Sequence, residues 1–355
     1  MGDGEGAAGR RSSARATIHD VAEAAGVSIK TVSRVLNREK NVRADTRERV
    51  LEAVEQLNYR PNISARSLAS DRSYLIGLLY DNPSAAYVAD VQVGALERCR
   101  REGYHVIVEA CDSESPDAAE TVRDLVAQSR LDGVILTPPI GDHPGILKVL
   151  EEEGVPFVRI APETEAPAGS GVRMDDFAAA RDMTKELLRL GHKRIGFIKG
   201  HPEHGSSDKR YGGYRQALID AGIDNPPAEY VKQGYFSYKS GMECAEELLA
   251  MEPRPTAIFA SNDDMAVAVV AAAHKRGLEV PRDLSVAGFD DTPVARIIWP
   301  QLTTVHQPIT EMAAVAADLV ISAARADRAE KSDNLLPYSL EMRDTTAPPG
   351  SDSGG

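Results

Sequence analysis

Apolar positions recur at helical spacing over residues 17–57 and change, from Tyr74 onward, to continuous apolar runs separated by amphipathic stretches. In TIHDVAEAAGVSIKTVSRVLN (17–37), Asp20–Ala24 reads as a short, mostly apolar helix closed by Gly26. Ser28 opens a second helix, with Val32, Val35 and Leu36 on one side and Ile29, Lys30, Ser33 and Arg34 on another. Thr17 and Asp20 have capping-box spacing, and Gly26 suits a left-handed stop between the helices. Two short helices about a tight turn, the second with a polar outer face, satisfy the pattern of a helix-turn-helix. An ordinary helical hairpin is the plainer alternative. A third helix is expected over Thr46–Leu57, with Val50, Leu51, Val54 and Leu57 in register. Arg43 stands at its cap position, and Asp45 and Glu48 compensate through the helix dipole. Pro61 then breaks the helix, and Asn62 can cap a further one or two turns, Ile63–Ala69. A helix that short is marginal alone in water and needs a partner.

The body predicts strands at 74–81, 105–111, 133–139 and 156–161 with helices between them. The alternation restarts with strands at 194–200, 230–235, 257–262 and 284–291. β-Branched runs between helices imply parallel sheets covered on both faces. Two such sets imply two doubly wound lobes with a cleft at the carboxyl ends of their strands. A strand at 302–308, a helix Ile309–Arg325 and a last strand near 335–343 are expected to cross back between the lobes.

Composition changes this picture in one respect. The 355 residues carry a net charge of −13, which alone argues against nucleic acid. Residues 1–72, however, hold 13 Lys and Arg against 10 Asp and Glu, a net of +3, and the remainder holds 28 against 44, a net of −16. A mildly basic head on an acidic body confines any DNA contact to the head. Cys99, Cys111 and Cys244 are too scattered for a disulfide framework or zinc site and fit buried thiols in a reducing cytoplasm. No apolar run suggests a signal peptide or membrane span. Residues 1–15 and 347–355, rich in Gly, Ser, Ala or Pro, are expected to be disordered tails.

TIHDVAEAAGVSIKTVSRVLN, TRERVLEAVEQLNYRPN and ARSLAS together resemble the headpiece and hinge of the LacI/GalR repressors. ASNDDMA, VAGFDDTP and LTTVHQP resemble that family's sugar-binding body, so the likeness spans about residues 16–346. The fold it implies is an all-α helix-turn-helix headpiece (16–61), a hinge helix and linker (62–73) and an α/β body (74–346) like that of periplasmic binding proteins. Within the body it implies two doubly wound parallel-sheet lobes, about 74–173 plus 306–332 and about 174–303 plus 334–346. It also implies a cytoplasmic homodimer or tetramer whose affinity for a pseudo-palindromic operator answers to a small effector, without a cofactor or metal.

The resemblance assigns Ile29, Lys30 and Arg34 to base edges in the major groove. Arg34 can grip a guanine bidentately, Lys30 can donate to guanine or phosphate, and Ile29 can pack on a thymine methyl. Thr17, Ser28, Thr31, Ser33 and Asn37 then become phosphate contacts. In the hinge, Asn62 is the cap, Ala65 permits close helix pairing, and Leu68 is either a minor-groove wedge or the core of a lone hinge helix. Effector positions carried over are Arg210, Phe236, Asn262, Asp290 and Gln307, with Asp81, Tyr87 and Thr137 at the cleft edge. A pyranose needs bidentate polar groups and an aromatic or apolar face. Asp263, Asp264 and Asp290 also suit helix capping after strands. Ala161 stands where the family commonly has a sugar-binding aspartate, and Arg159 is added within the same strand. Arg159 then either meets an anionic effector or pairs with a neighbouring carboxylate.

His201-Pro-Glu-His204 has poor metal-site spacing and fits an effector-side loop better. No GxxxxGK[ST], GxSxG or HExxH occurs. The expected function is that of an effector-controlled repressor. The alternatives are a sugar carrier and a carbohydrate-active enzyme with an accessory headpiece.

Overall fold

Thr17 and Asp20 form the capping box that starts α1 (Ile18–Ala25): the Asp20 carboxylate accepts from the Thr17 amide at 2.7 Å, and the Thr17 hydroxyl accepts from the Asp20 amide. Gly26 ends α1 at φ 62°, a left-handed conformation in which a side chain would be strained. Ser28 Oγ then accepts from the Thr31 amide at the start of α2 (Ile29–Leu36). α3 (Ala44–Gln56) begins two residues earlier than its apolar pattern suggested, and the Arg43 side chain makes no cap bond. Val21, Ala25, Val32, Val35, Val50 and Tyr59 close a small core among the three helices. This chemistry is that of a computed structural model, which describes residues 16–36, 41–59, 72–163, 169–223, 228–326 and 332–350. Two compact units emerge, Met1–Ser73 and Tyr74–Gly355. Asn37 and the hinge residues Asn62, Ala65 and Leu68 lie outside the described residues.

The second unit starts with β1 (Leu75–Tyr80), α4 (Ala85–Arg101), β2 (His105–Ala110), α5 (Ala118–Ser129), β3 (Gly133–Leu136), α6 (Pro144–Glu152), β4 (Phe157–Ile160) and β5 (Ser170–Arg173). The chain then crosses to α7 (Asp176–Arg189), β6 (Ile195–Lys199), α8 (Gly205–Asp220), β7 (Val231–Gln233), α9 (Tyr238–Leu249), β8 (Ala257–Ala260), α10 (Asp263–Lys275), β9 (Ser285–Asp290), α11 (Pro293–Ile297) and β10 (Thr303–His306). It returns through α12 (Ile309–Arg325) and β11 (Asp333–Leu335) and ends on β12 (Ser339–Glu341). The sheets run β11-β5-β4-β3-β1-β2 and β12-β10-β9-β8-β6-β7, parallel except for β12 against β10. Each therefore has a switch point, beside β1 and beside β6, where a crevice opens at the strands' carboxyl ends.

α12 belongs to the first lobe by packing, since Met312, Ala316 and Val320 share a core with Ile76, Leu78 and Val91. Gly94 makes the close α4–α12 crossing possible, because a Cβ there would lie 2.1 Å from the Thr310 carbonyl oxygen. Three expectations are corrected. Residues 170–173 form a strand the sequence did not announce. The single strand expected near 335–343 is two short strands, one in each sheet, so residues 334–335 still belong to the first lobe. The tail expected to be loose from 347 is held at Ala347, whose amide donates to Ser285 Oγ and whose carbonyl oxygen lies 2.9 Å from His192 Nε2.

Candidate functional site

On the first unit, Val32 and Val35 turn inward, leaving Ile29, Lys30 and Arg34 exposed and Thr31 and Ser33 half-buried. The proposed base-reading side chains thus share the outward side of one helix. Thr17 and Ser28 are exposed, but their hydroxyls already serve the starts of α1 and α2, with Ser28 Oγ and Thr31 Oγ1 2.9 Å apart. Helix-start donors and hydroxyls in this position suit phosphate oxygens.

On the second unit, Tyr87, Arg210, Phe236, Asn262, Asp290 and Gln307 line one small cavity between the lobes. Arg210 organises it from the first turns of α8. Its Nε donates to Asp176 Oδ1 at 2.9 Å, one terminal nitrogen donates to the Ser261 carbonyl at 2.6 Å, and the other donates to Gln307 Oε1 at 3.0 Å. Asp290 Oδ1 lies 3.5 Å from the guanidinium, which also stacks 3.5 Å from the centroid of Phe289. Burial pushes the Asp290 carboxyl well above the usual range, against the lowering effect of Arg210. Asn262 uses its amide locally: Oδ1 caps α10 by accepting from the Met265 amide, and Nδ2 donates to the Phe236 carbonyl.

The caps expected of the acidic pair after β8 are therefore corrected, since Asn262 is the cap. Asp263 instead accepts from the Thr292 amide and hydroxyl and the Thr304 hydroxyl, and burial pushes its carboxyl up to about 7. Asp264 accepts from Ser84 Oγ at 2.7 Å across the cleft. Lys209 makes a second cross-lobe bond, to the Pro162 carbonyl at 3.1 Å. The cavity has about 20 Å³ of space, room for about one water and far below the few hundred Å³ of a typical small-molecule site. Ligand entry thus requires the lobes to part.

Three expected cleft residues do not line this cavity, although Asp81 and Thr137 each directly precede a residue that does. Asp81 accepts from the Ser113 amide and hydroxyl, and Thr137 donates to the Leu79 carbonyl. Arg159, buried in β4, pairs with Asp142 at 3.1 Å, and Asp142 in turn accepts from the Glu163 amide. This is the structural pair that the sequence left open beside an anionic effector. In their place the cavity gains Asn82, Ser84, Pro138, His204 and Ser206. Ala161, Phe236 and Asp290, all on its wall, have positive φ of 47°, 56° and 110°. Strained non-glycine backbone at two strand ends and in the loop after β7, all around one cavity, points to a functional site, because only surrounding structure can hold it. A larger hollow of about 340 Å³ lies beyond the Asp290–Gln307 wall, but its arginines are already paired, Arg98 with Asp318 and Arg101 with Glu97.

All three cysteines are buried and unbridged, and among the described residues no three His, Cys, Asp or Glu side chains gather as a metal site. No helix among the described residues is long and apolar enough to cross a membrane.

Residues 17–62 match the family model for bacterial regulatory proteins of the lacI family, and residues 184–346 match a periplasmic binding protein-like domain. Catabolite control protein A of Priestia megaterium is 34% identical over 93% of this chain and 99% of its own. A lac repressor dimer bound to operator and the anti-inducer ONPF is 31% identical, with a TM-score of 0.76 over 94% of this chain and all of that one. A complex of the transcriptional regulator CelR with cellobiose is 30% identical, with a TM-score of 0.71 over 93% of this chain and all of the other.

Proposed function

The chain belongs to the LacI family of bacterial regulatory proteins and is a transcriptional regulator, not an enzyme; from this premise we propose that it is a sequence-specific repressor controlled by a small effector. The observation that carries the reading is the side of α2 that presents Ile29, Lys30 and Arg34 outward from a capped, packed headpiece. In this reading Arg34 and Lys30 read base edges, and Thr17, Ser28, Thr31, Ser33 and Asn37 fix the helix on phosphates. Asn62, Ala65 and Leu68 form paired hinges that enter the minor groove.

The effector, a sugar or sugar derivative, binds among Tyr87, Arg210, Phe236, Asn262, Asp290 and Gln307. The relative solved with cellobiose supports this class of ligand. Arg159, tied to Asp142, has no part in it. In this reading the effector and the operator favour different lobe separations, and the hinge transmits the difference. Ile297 and Trp299, about four-fifths exposed, and Val93 and Leu96 on α4 offer apolar surface to a second copy in a cytoplasmic dimer. Two headpieces then read a pseudo-palindrome.

Fluorescence anisotropy with genomic fragments tests the reading. The full-length chain should select particular fragments over bulk DNA at moderate salt, and Arg34→Ala should lose about 1–3 kcal/mol of that selectivity. A chain that binds all fragments alike would overturn it.

A further inference from the structure

Among the described residues, non-glycine backbone of positive φ occurs at helix ends (Asn58 after α3, Arg130 after α5), around the cleft (Ala161, Phe236, and Asp290 with Asp291) and at Tyr74, where φ is 60°. Tyr74 is neither a helix end nor a cleft residue. It is the first residue of the second unit, so the chain passes from the headpiece side into the body through it. A connection without a set direction could enter the sheet as extended backbone, which any residue adopts. A tyrosine in the left-handed region is instead held there by its surroundings.

Its amide, its carbonyl and its ring are each tied down. The Tyr74 amide donates to Asp132 Oδ2 at 3.0 Å, and the Tyr74 carbonyl oxygen accepts from the His105 amide at 2.9 Å. Asp132 also grips the next residue, since its own amide donates to the Leu75 carbonyl at 2.9 Å. The Tyr74 ring is buried 5.4 Å from that of Tyr104, in a core shared with Ile76, Val91 and Val320. Arg325 of α12, paired with Glu102, lies 5.5 Å from the Tyr104 ring. Three parallel strands start at this junction, with Leu75 of β1 opposite His105 of β2, and Ile76 of β1 opposite Gly133 of β3. The cleft lies at the other ends of two of them, where Asn82 and Ser84 follow β1 and Pro138 follows β3. Close-packed interiors transmit strain. A junction that turned freely would absorb a displacement of the lobe, whereas one held at amide, carbonyl and ring passes it to the linker.

Resting on the reading of two headpieces on a pseudo-palindrome, we propose that Tyr74 and Asp132 are positioning residues for DNA binding, which fix the direction in which each chain leaves the first lobe so that both headpieces meet their half-sites at once. A loosened exit lowers the effective concentration of the second headpiece at its half-site and leaves each headpiece itself unchanged. Fluorescence anisotropy on the full-length chain tests this, with a selected DNA fragment set against the same fragment carrying one scrambled half-site. Asp132→Ala, which frees the Tyr74 amide, and Tyr74→Val, whose β-branched side chain resists positive φ, should each weaken the intact fragment by about tenfold or more. The half-scrambled fragment should weaken by less than about twofold. Asp132→Asn, which keeps an oxygen acceptor, and Tyr74→Asn, which gives up the ring but tolerates the left-handed region, should both recover most of the loss. Thermal melting of every variant separates these effects from misfolding. Equal weakening of both fragments, an unaffected Asp132→Ala variant, or a loss in Tyr74→Asn as large as in Tyr74→Val would overturn the proposal while leaving two-headpiece binding intact. If the native chain binds the two fragments alike, the two-headpiece reading falls, and the proposal with it.

Discussion

Arg210 and the two carboxylates facing it are all nearly inaccessible to solvent, so the charge balance around this one side chain governs the cleft. Removing the cation strands Asp176 and Asp290 in a low-dielectric site, a change that typically destabilises by about 3–5 kcal/mol. Arg210→Met should show a loss of that order in urea denaturation, and Arg210→Met combined with Asp176→Asn should recover part of it; an additive double variant would mean that the pair does not interact. His204 contributes with a definite sign. Its folded pKa of about 4 lies below the ordinary 6.5, so between these values the unfolded chain binds the proton and the folded one does not. Its contribution to stability is complete above about pH 6.5 and is lost as pH falls toward 4, by about 2 kcal/mol between pH 7 and pH 5. Denaturation of the native chain and of His204→Gln at both pH values checks this, since the variant should lose that part of the acid slope. His192, also lowered by burial, leaves a residual slope of the same sign.

At the scale of elements, the headpiece depends on local chemistry at its helix ends. Thr17→Ala removes one half of the capping box and should destabilise the first unit by about 1 kcal/mol. Gly26→Ala forces a Cβ onto a backbone at φ 62° and should act by a similar amount, although nothing stands within 4 Å of that atom. Thermal melts followed by helical circular dichroism should show both losses; an unchanged Gly26→Ala melt would mean the turn relaxes out of the left-handed region. These features were legible because capping box, glycine stop and 3.6-residue periodicity are written in neighbouring residues. The long apolar strands were legible for the same reason. β5, by contrast, is Ser-Gly-Val-Arg, and only its neighbours β4 and β11 make it a strand. β11 and β12 are three residues each, too short for any pattern. At the cleft, motif matching found Arg210, Asn262 and Asp290 but missed Ser84, because its bond to Asp264 exists only where the two lobes meet. Arg159 could not be assigned from its strand alone, since its partner Asp142 lies in a separate turn.

For the body as a whole, closure of the lobes is the variable through which a ligand can act. Ser84 donates to the Asp264 carboxylate from one lobe to the other, and a hydrogen bond to a charged group contributes about 1.5–3 kcal/mol. Ser84→Ala therefore shifts the balance toward the open arrangement by about tenfold or more, without touching α2 or the arginine network. If effector and operator favour opposite lobe separations, linkage requires this one substitution to change their affinities in opposite directions. The size of each change is bounded by how far the closed state prevails beforehand, because a state already fully populated gains nothing further. Anisotropy on a selected DNA fragment, with and without a bound sugar, measures both affinities in the same preparation. Opposed shifts in Ser84→Ala are the expected result. Parallel shifts, or a change in sugar affinity alone, would mean that closure of the cleft and placement of the headpieces are not coupled through lobe separation.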